Sequence, residues 1–182
     1  MKTAIETATA TKWVLDPSHS EINFKVRHLM ISNVKGEFRK FTAQVNGEDF
    51  TASTIEAEID ATSIFTNDDK RDEHLKSGDF FDVVQHPSIS FTGKSFKKLD
   101  ESNYTLAGAL VIKGISKDVS LDVEFGGLNT DPWGNKKAAF SISGKINRKD
   151  WGLTWNATLE TGGVLVSDEI RINAELQFIK QS

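Results

Sequence analysis

Apolar residues fall at every second position through most of this chain, and that period admits few folds. Ile55, Ala57 and Ile59 alternate with Glu56, Glu58 and Asp60. Val119, Leu121, Val123 and Phe125 alternate with Ser120, Asp122 and Glu124. Ile170, Ile172, Ala174, Leu176 and Phe178 repeat the pattern near the C-terminus. Successive side chains of a strand point to opposite faces, so each segment reads as a strand with one oily face and one wet face. The same period runs through 13–30, 34–45, 89–96, 104–112 and 140–146, which makes about eight strands. Turn chemistry separates them in "NGED" (46–49), "DESN" (100–103), "KGISK" (113–117), "DPWGN" (131–135) and "TGG" (161–163). In "DPWG", Pro132 and Gly134 suit a tight turn that leaves Trp133 on a rim. Gly93, Gly108 and Gly144 lie inside strands, where they signal a sharp bend or a close approach to the backbone. Bent antiparallel sheets with one apolar face close on themselves. The expected fold is all-β, a closed antiparallel β-barrel of about eight strands.

One segment departs from the period. "TNDDKRDEHLKSGDFFD" (66–82) opens with Asn and Asp at a capping position, carries mixed charges around Leu75 and reaches Gly78 as a stop. It predicts a short helix over 69–77, anchored by Phe80 and Phe81. A chain of 182 residues is enough for one domain with a substantial interior. Residues 12–182 are read as that domain, and 1–11 as a flexible N-terminal segment.

Charge and motifs narrow the function. The net charge is −4 and the densest basic patch, "KSFKKL" (94–99), is short, so no nucleic-acid partner is expected. There is no cysteine, which removes disulfides and thiol chemistry. No stretch approaches the roughly 20 apolar residues that span a bilayer as a helix. Lys2 is not followed by the apolar run of an export signal, so the expected location is the cytoplasm, or the periplasm if such a signal has been removed. No G-x-S-x-G, H-E-x-x-H or phosphate-loop motif occurs. "RDEH" sets acids beside His74, but neighbours on a helix point in different directions. Neither catalysis, a metal nor a cofactor is expected.

Several blocks carry a more specific signal. "WVLDPSHSEINFKVRHLMISNVKGEF", "KRDEHLKSGDFFDV", "LAGALVIKGISKDVSLDVEF", "DPWG", "INRKDWGLTWN" and "GGVLVSDEIRI" closely resemble the YceI-like family of polyisoprenoid-binding proteins. The resemblance runs from about Trp13 to the C-terminus and keeps the order and spacing of every block. It implies a lipocalin-like barrel with a helix packed against it and a long apolar pocket for an isoprenoid or similar lipid. It also implies a homodimer. Many members are exported, and this sequence departs from them in lacking an evident signal peptide.

A lipid suits the pattern on physical grounds. A buried methylene contributes roughly 0.8 kcal/mol, so one isoprene unit contributes about 3–4 kcal/mol. A few units give tight binding with no polar recognition. The expected wall is Phe24, Val26, His28 and Met30 on the first long strand, then Phe38, Ile59, Phe91, Leu110, Ile112, Phe140 and Ile142. Phenylalanine is abundant, 12 against a single tyrosine. Periodicity alone is equally consistent with rings that fill a solid barrel; the family resemblance favours a cavity. His28 interrupts an oily face and so needs a partner. It is either a satisfied strand-end histidine or a polar point facing the ligand, and the second is the expectation. In "NRKDWGLTWN", Arg148 and Asp150 are expected to pair across a bend above Trp151 and Trp155. This is a structural corner, or else Asn147, Arg148 and Trp155 also meet the ligand. His74 is expected on the surface or against the helix, and His19 and His86 in turns. The reading is therefore a carrier or sequestering protein for a polyisoprenoid or other long-chain lipid, with at most a transient membrane contact. The alternative is a stress-related scaffold with a filled barrel.

Overall fold

The computed structural model describes residues 11–160 and 162–181; all but the last residue of the expected flexible segment 1–11 lies outside them. Two of the alternating stretches are broken, and a third strand is followed by a turn and a short strand. β1 (Lys12–Leu15) and β2 (Glu21–His28) are separated by a 3-10 turn, Pro17–His19, capped by Asp16, whose carboxylate accepts from the Ser18 N–H. β3 (Ser32–Phe38) and β4 (Phe41–Asn46) part at Arg39 and Lys40. β5 (Thr54–Asp60) and β6 (Ile64–Phe65) part at a second turn, Ala61–Ser63. Alternation reads 13–30 and 34–45 as continuous, but the inward phase shifts by one residue at each break, from Trp13 and Leu15 to Ile22 and Phe24, and from Val34 and Phe38 to Ala43 and Val45. Long strands follow: β7 (Ser88–Lys98), β8 (Asn103–Ile112), β9 (Ile115–Thr130), β10 (Lys136–Asn147) and β11 (Val166–Lys180).

β1 pairs with both β4 and β11, so the ring β1–β4–β5–β7–β8–β9–β10–β11 closes into an antiparallel barrel. β11 pairs with β10 along one edge and is long enough to serve two partners on the other. Its last residues pair with β1 and its earlier ones with β2. From there β2, β3 and β6 form a leaf that continues the wall at the other end. β6 and β7 are not paired among the described residues, and the chain between them fills the gap. This is where the helix α1 (Asp69–Lys76) sits, close to the expected 69–77. The Asp68 side chain accepts from the Arg71 N–H at 3.0 Å and caps it. Buried Asp72 accepts from the N–H and hydroxyl of Thr66, and Arg71 donates to the Thr66 hydroxyl and carbonyl. These bonds tie the helix to the end of β6. Phe80 is buried in one cluster with Phe38 and Ile64 of the leaf and Ile89 of β7, so it bridges the gap as the sequence anticipates.

A second buried cluster, with Trp13, Val45, Phe96, Leu106, Phe140 and Phe178, packs the β1 end. The strand glycines act where side chains must approach the sheet. A β-carbon on Gly108 would stand 2.5 Å from the Phe91 ring, and one on Gly36 would collide with the Phe24 ring directly opposite. Each ring lies over its glycine, where a side chain would block it. At Gly93 the β7–β8 register shifts, which bends the wall.

Candidate functional site

The inward faces do not meet at the centre; they enclose a cavity of about 590 Å³. Sites for small ligands span roughly 300–1,000 Å³. Phe24, Val26 and His28 of β2 and Phe38 of β3 stand on its wall, with Ile59 of β5 and Phe91 of β7. Leu110 and Ile112 of β8 and Phe140 and Ile142 of β10 face them. Phe96, Phe140 and Phe178 reach into it from the cluster at the β1 end. At the other end lie His28, Leu165 and Trp155. The wall is overwhelmingly hydrocarbon, so what it can do chemically is desolvate a chain.

Two expected wall residues are elsewhere. Met30 is 51 % exposed, because the strand ends at His28 and the chain turns before its inward phase would bring Met30 round. Asn147 is exposed, and its side chain accepts from the Lys149 N–H at 3.0 Å to cap the turn Arg148–Trp151. Its alternation with Ile146 turns it outward.

Arg148 lines the cavity and yet is 2 % exposed. It does not pair with Asp150. Its guanidinium donates to the carbonyls of Leu153 (2.6 Å), Trp155 (2.8 Å) and Ser167 (2.9 Å), with Val166 at 3.3 Å. Burial lowers its pKa, opposed by the charge of Asp168 at 3.8 Å. The Trp151 indole N–H donates to the Leu110 carbonyl at 2.9 Å. Together they pin the crossing between β10 and β11 onto the sheet and present Trp155 to the cavity. Arg148 is thus a strut, with few donors left for a head group.

His28 is half-buried on the wall; its carbonyl accepts from the Ser32 hydroxyl. His74 also lines the cavity, where a surface or helix-packing position was expected. Its ring meets Trp155 edge-on at 4.6 Å and Phe80 at 5.1 Å, and its Nε2 lies 2.8 Å from Asp79 Oδ2. Helix α1 is therefore clamped over this end through His74 and Phe80. Phe80, Phe81 and Leu75 line the cavity too. The Phe-Phe pair after Gly78 was a visible signal for them, read only as an anchor.

The family model described as a YceI-like domain matches residues 13–178. The chain belongs to the YceI-like family. A UPF0312 protein of Staphylococcus aureus (strain MSSA476) is 38 % identical over 171 residues, spanning 92 % of this chain and 97 % of the relative. Among solved structures, a Campylobacter jejuni YceI protein superposes with a TM-score of 0.74 at 34 % identity, covering 86 % of this chain and 90 % of that one. A polyisoprenoid binding domain from Saccharophagus degradans shares the fold with a TM-score of 0.72 at 14 % identity, covering 93 % and 98 %. The YceI-like barrel described above is thus a shared architecture, lipocalin-like and carrying one short helix.

Proposed function

We propose that this protein captures a polyisoprenoid or similar long-chain amphiphile in its barrel, reversibly and without a covalent step. The observation that carries the reading is the cavity of about 590 Å³ behind an almost wholly apolar wall. A filled interior would have favoured a scaffold; eight-stranded barrels are often filled, and this one is not. The Saccharophagus degradans neighbour described as polyisoprenoid binding supports the same ligand class. Among the described residues no group of three or more His, Asp or Glu is gathered as a metal would need. Transport of the captured lipid and a homodimeric state belong to this proposal on the family resemblance; a monomer in sedimentation at working concentration refutes the dimer.

Native mass spectrometry of the purified protein, followed by extraction and identification of what is released, tests capture. A stoichiometric long-chain adduct is expected. A clean apo mass, unchanged after incubation with polyprenyl lipids and quinones, overturns the reading.

A further inference from the structure

The turn between β2 and β3 brings three oily residues to the surface. Leu29, Met30 and Ile31 are 39, 51 and 82 % exposed. Leu29 and Met30 both have positive φ, 55° and 63°. Asn-Gly is the sequence such a turn favours, and bulky residues there are uncommon. Met30 lies against Gly163 of the neighbouring loop, but half of Met30 and most of Ile31 are left in water. The next loop adds to the patch: Val164 is exposed, and the Leu29 N–H donates to the Leu165 carbonyl at 2.9 Å. His28, Leu165 and Val166, immediately behind, line the cavity. The patch is continuous with the cavity's rim.

Behind the tip stands a row of cations. Strand register sets Lys145 of β10 opposite Arg171 of β11, Arg171 opposite Lys25 of β2, and Lys25 opposite Lys35 of β3. Their neighbours Ile146, Ile172, Phe24 and Val34 line the cavity, so all four charges face out. Like charges directly opposite one another are destabilising. Arg171 has Glu169 at 3.4 Å; among the described residues no carboxylate lies within salt-bridge reach of the other three. Arg27, nearer the tip, donates to the Met30 carbonyl at 3.2 Å and adds a fifth positive charge. A chain of net charge −4 does not place such a row by composition alone. At about 3.3 Å per residue, Lys25 lies roughly 13 Å behind Leu29. Apolar faces of interfacial segments sink about 5–10 Å into the boundary between head groups and acyl chains. That depth leaves the cationic row at the level of the phosphates.

We propose that the protein docks on an anionic phospholipid surface, with the β2–β3 tip inserted and the Lys145–Arg171–Lys25–Lys35 row against the head groups. The cavity rim then faces the bilayer. Docking itself needs only this surface; its use in lipid uptake rests on the capture reading above.

Flotation of the full chain with phosphatidylcholine vesicles, and with vesicles of equal parts phosphatidylcholine and phosphatidylglycerol, tests it. Binding to the anionic vesicles alone, weakening as salt is raised, is expected. A lysine at an anionic surface is worth about fivefold in partitioning, so Lys25→Glu with Lys35→Glu is expected to weaken binding at least about 25-fold. Ile31→Glu is expected to weaken it independently. Trp133→Ala, at an exposed turn on the far end of the barrel, is expected to change nothing. Equal binding to both vesicle types, no binding to either, or indifference to the tip and row variants overturns the proposal. So does loss of flotation together with oxidation of Ile31→Cys to a disulfide-linked dimer in a chain otherwise free of cysteine, which would assign the tip to self-association. Native mass spectrometry of the same variants, loaded with lipid from ethanol, keeps the two ideas apart. An adduct without flotation refutes docking and leaves capture standing. Flotation without any adduct refutes capture and leaves docking standing.

Discussion

Besides Asp72 under the helix, two buried charged residues hold irregular parts of this barrel in place, Arg148 and Asp16. Arg148 satisfies carbonyls of the crossing that brings Trp155 to the cavity. Lysine has a compact ammonium in place of the fork and cannot reach all of these acceptors. Removing one partner of a buried charged network costs about 3–5 kcal/mol at the upper end, and lysine retains part of it. Arg148→Lys is therefore expected to destabilise by about 2–3 kcal/mol, which in a chain of this size lowers Tm by roughly 5–10 °C, read by thermal melting. Asp16 works at the β1–β2 break. Burial pushes its carboxyl pKa up, but bonds from the Ser18 hydroxyl, Lys137, His19 and the Ser18 N–H outweigh burial and hold it well below the usual carboxylate range. A carboxylate with a depressed folded pKa stabilises fully above its unfolded value of about 3.9, and that contribution is lost as pH falls further. Denaturant midpoints between pH 7 and pH 2 are expected to fall below about pH 4. Asp16→Asn is expected to be less stable at pH 7, where it leaves Lys137 short of a partner, and to show a shallower acid loss. An identical slope in the variant would remove Asp16 from the account.

At the scale of elements, α1 is held over the cavity largely by rings. His74 and Phe80 both meet Trp155, at 4.6 and 5.4 Å, and aromatic pairs of this kind contribute about 0.5–1.5 kcal/mol each beyond burial. Trp155→Ala is expected to speed amide exchange across Asp69–Phe81 by at least tenfold while β8 to β10 keep their protection. Uniform acceleration everywhere would mean that Trp155 supports the whole fold instead. The same elements show what a sequence can and cannot disclose. Inward phase placed Phe24, Phe91, Leu110 and Ile142 correctly on the interior face, because period two is a local property of a strand. Phase could not place Met30, since the end of β2 is set by a turn with positive φ at Leu29, a residue that does not advertise one. It does carry the separation of β1 from β2, in the shift of apolar positions from Trp13 and Leu15 to Ile22 and Phe24, with Asp16-Pro17 at the break. Arg148 was legible as a corner residue paired with Asp150 or as a ligand contact, but its partners were not legible. Its acceptors are carbonyls distributed over Leu153 to Ser167, and backbone acceptors leave no trace in side-chain pattern.

For the whole molecule, the decisive fact is an interior left partly empty. Side chains that line a void lose contacts on one side, so the apo barrel forgoes packing that a filled one would have. The β1 end is the part of the barrel with the larger buried aromatic cluster. Trp13, Val45, Phe96 and Phe140 form one buried cluster there even though three of them also border the cavity, and ring closure through β1 leaves that end without a free edge. A guest chain would restore the missing contacts and bind only the folded state. At a free ligand concentration of 100 times Kd, mass action adds about 2.7 kcal/mol. For this length of chain that raises Tm by roughly 5–10 °C. Ile142→Trp puts an indole into the cavity from half-way up β10. It is expected to abolish the ligand-dependent shift, while the apo Tm changes little because overpacking strain, about 1–3 kcal/mol, is offset by the void it fills. Scanning calorimetry of delipidated and reloaded protein, wild type against variant, reads both numbers together. A shift that survives in Ile142→Trp would place the ligand outside the barrel, and an apo protein already as stable as the loaded one would mean that the cavity has no guest to wait for.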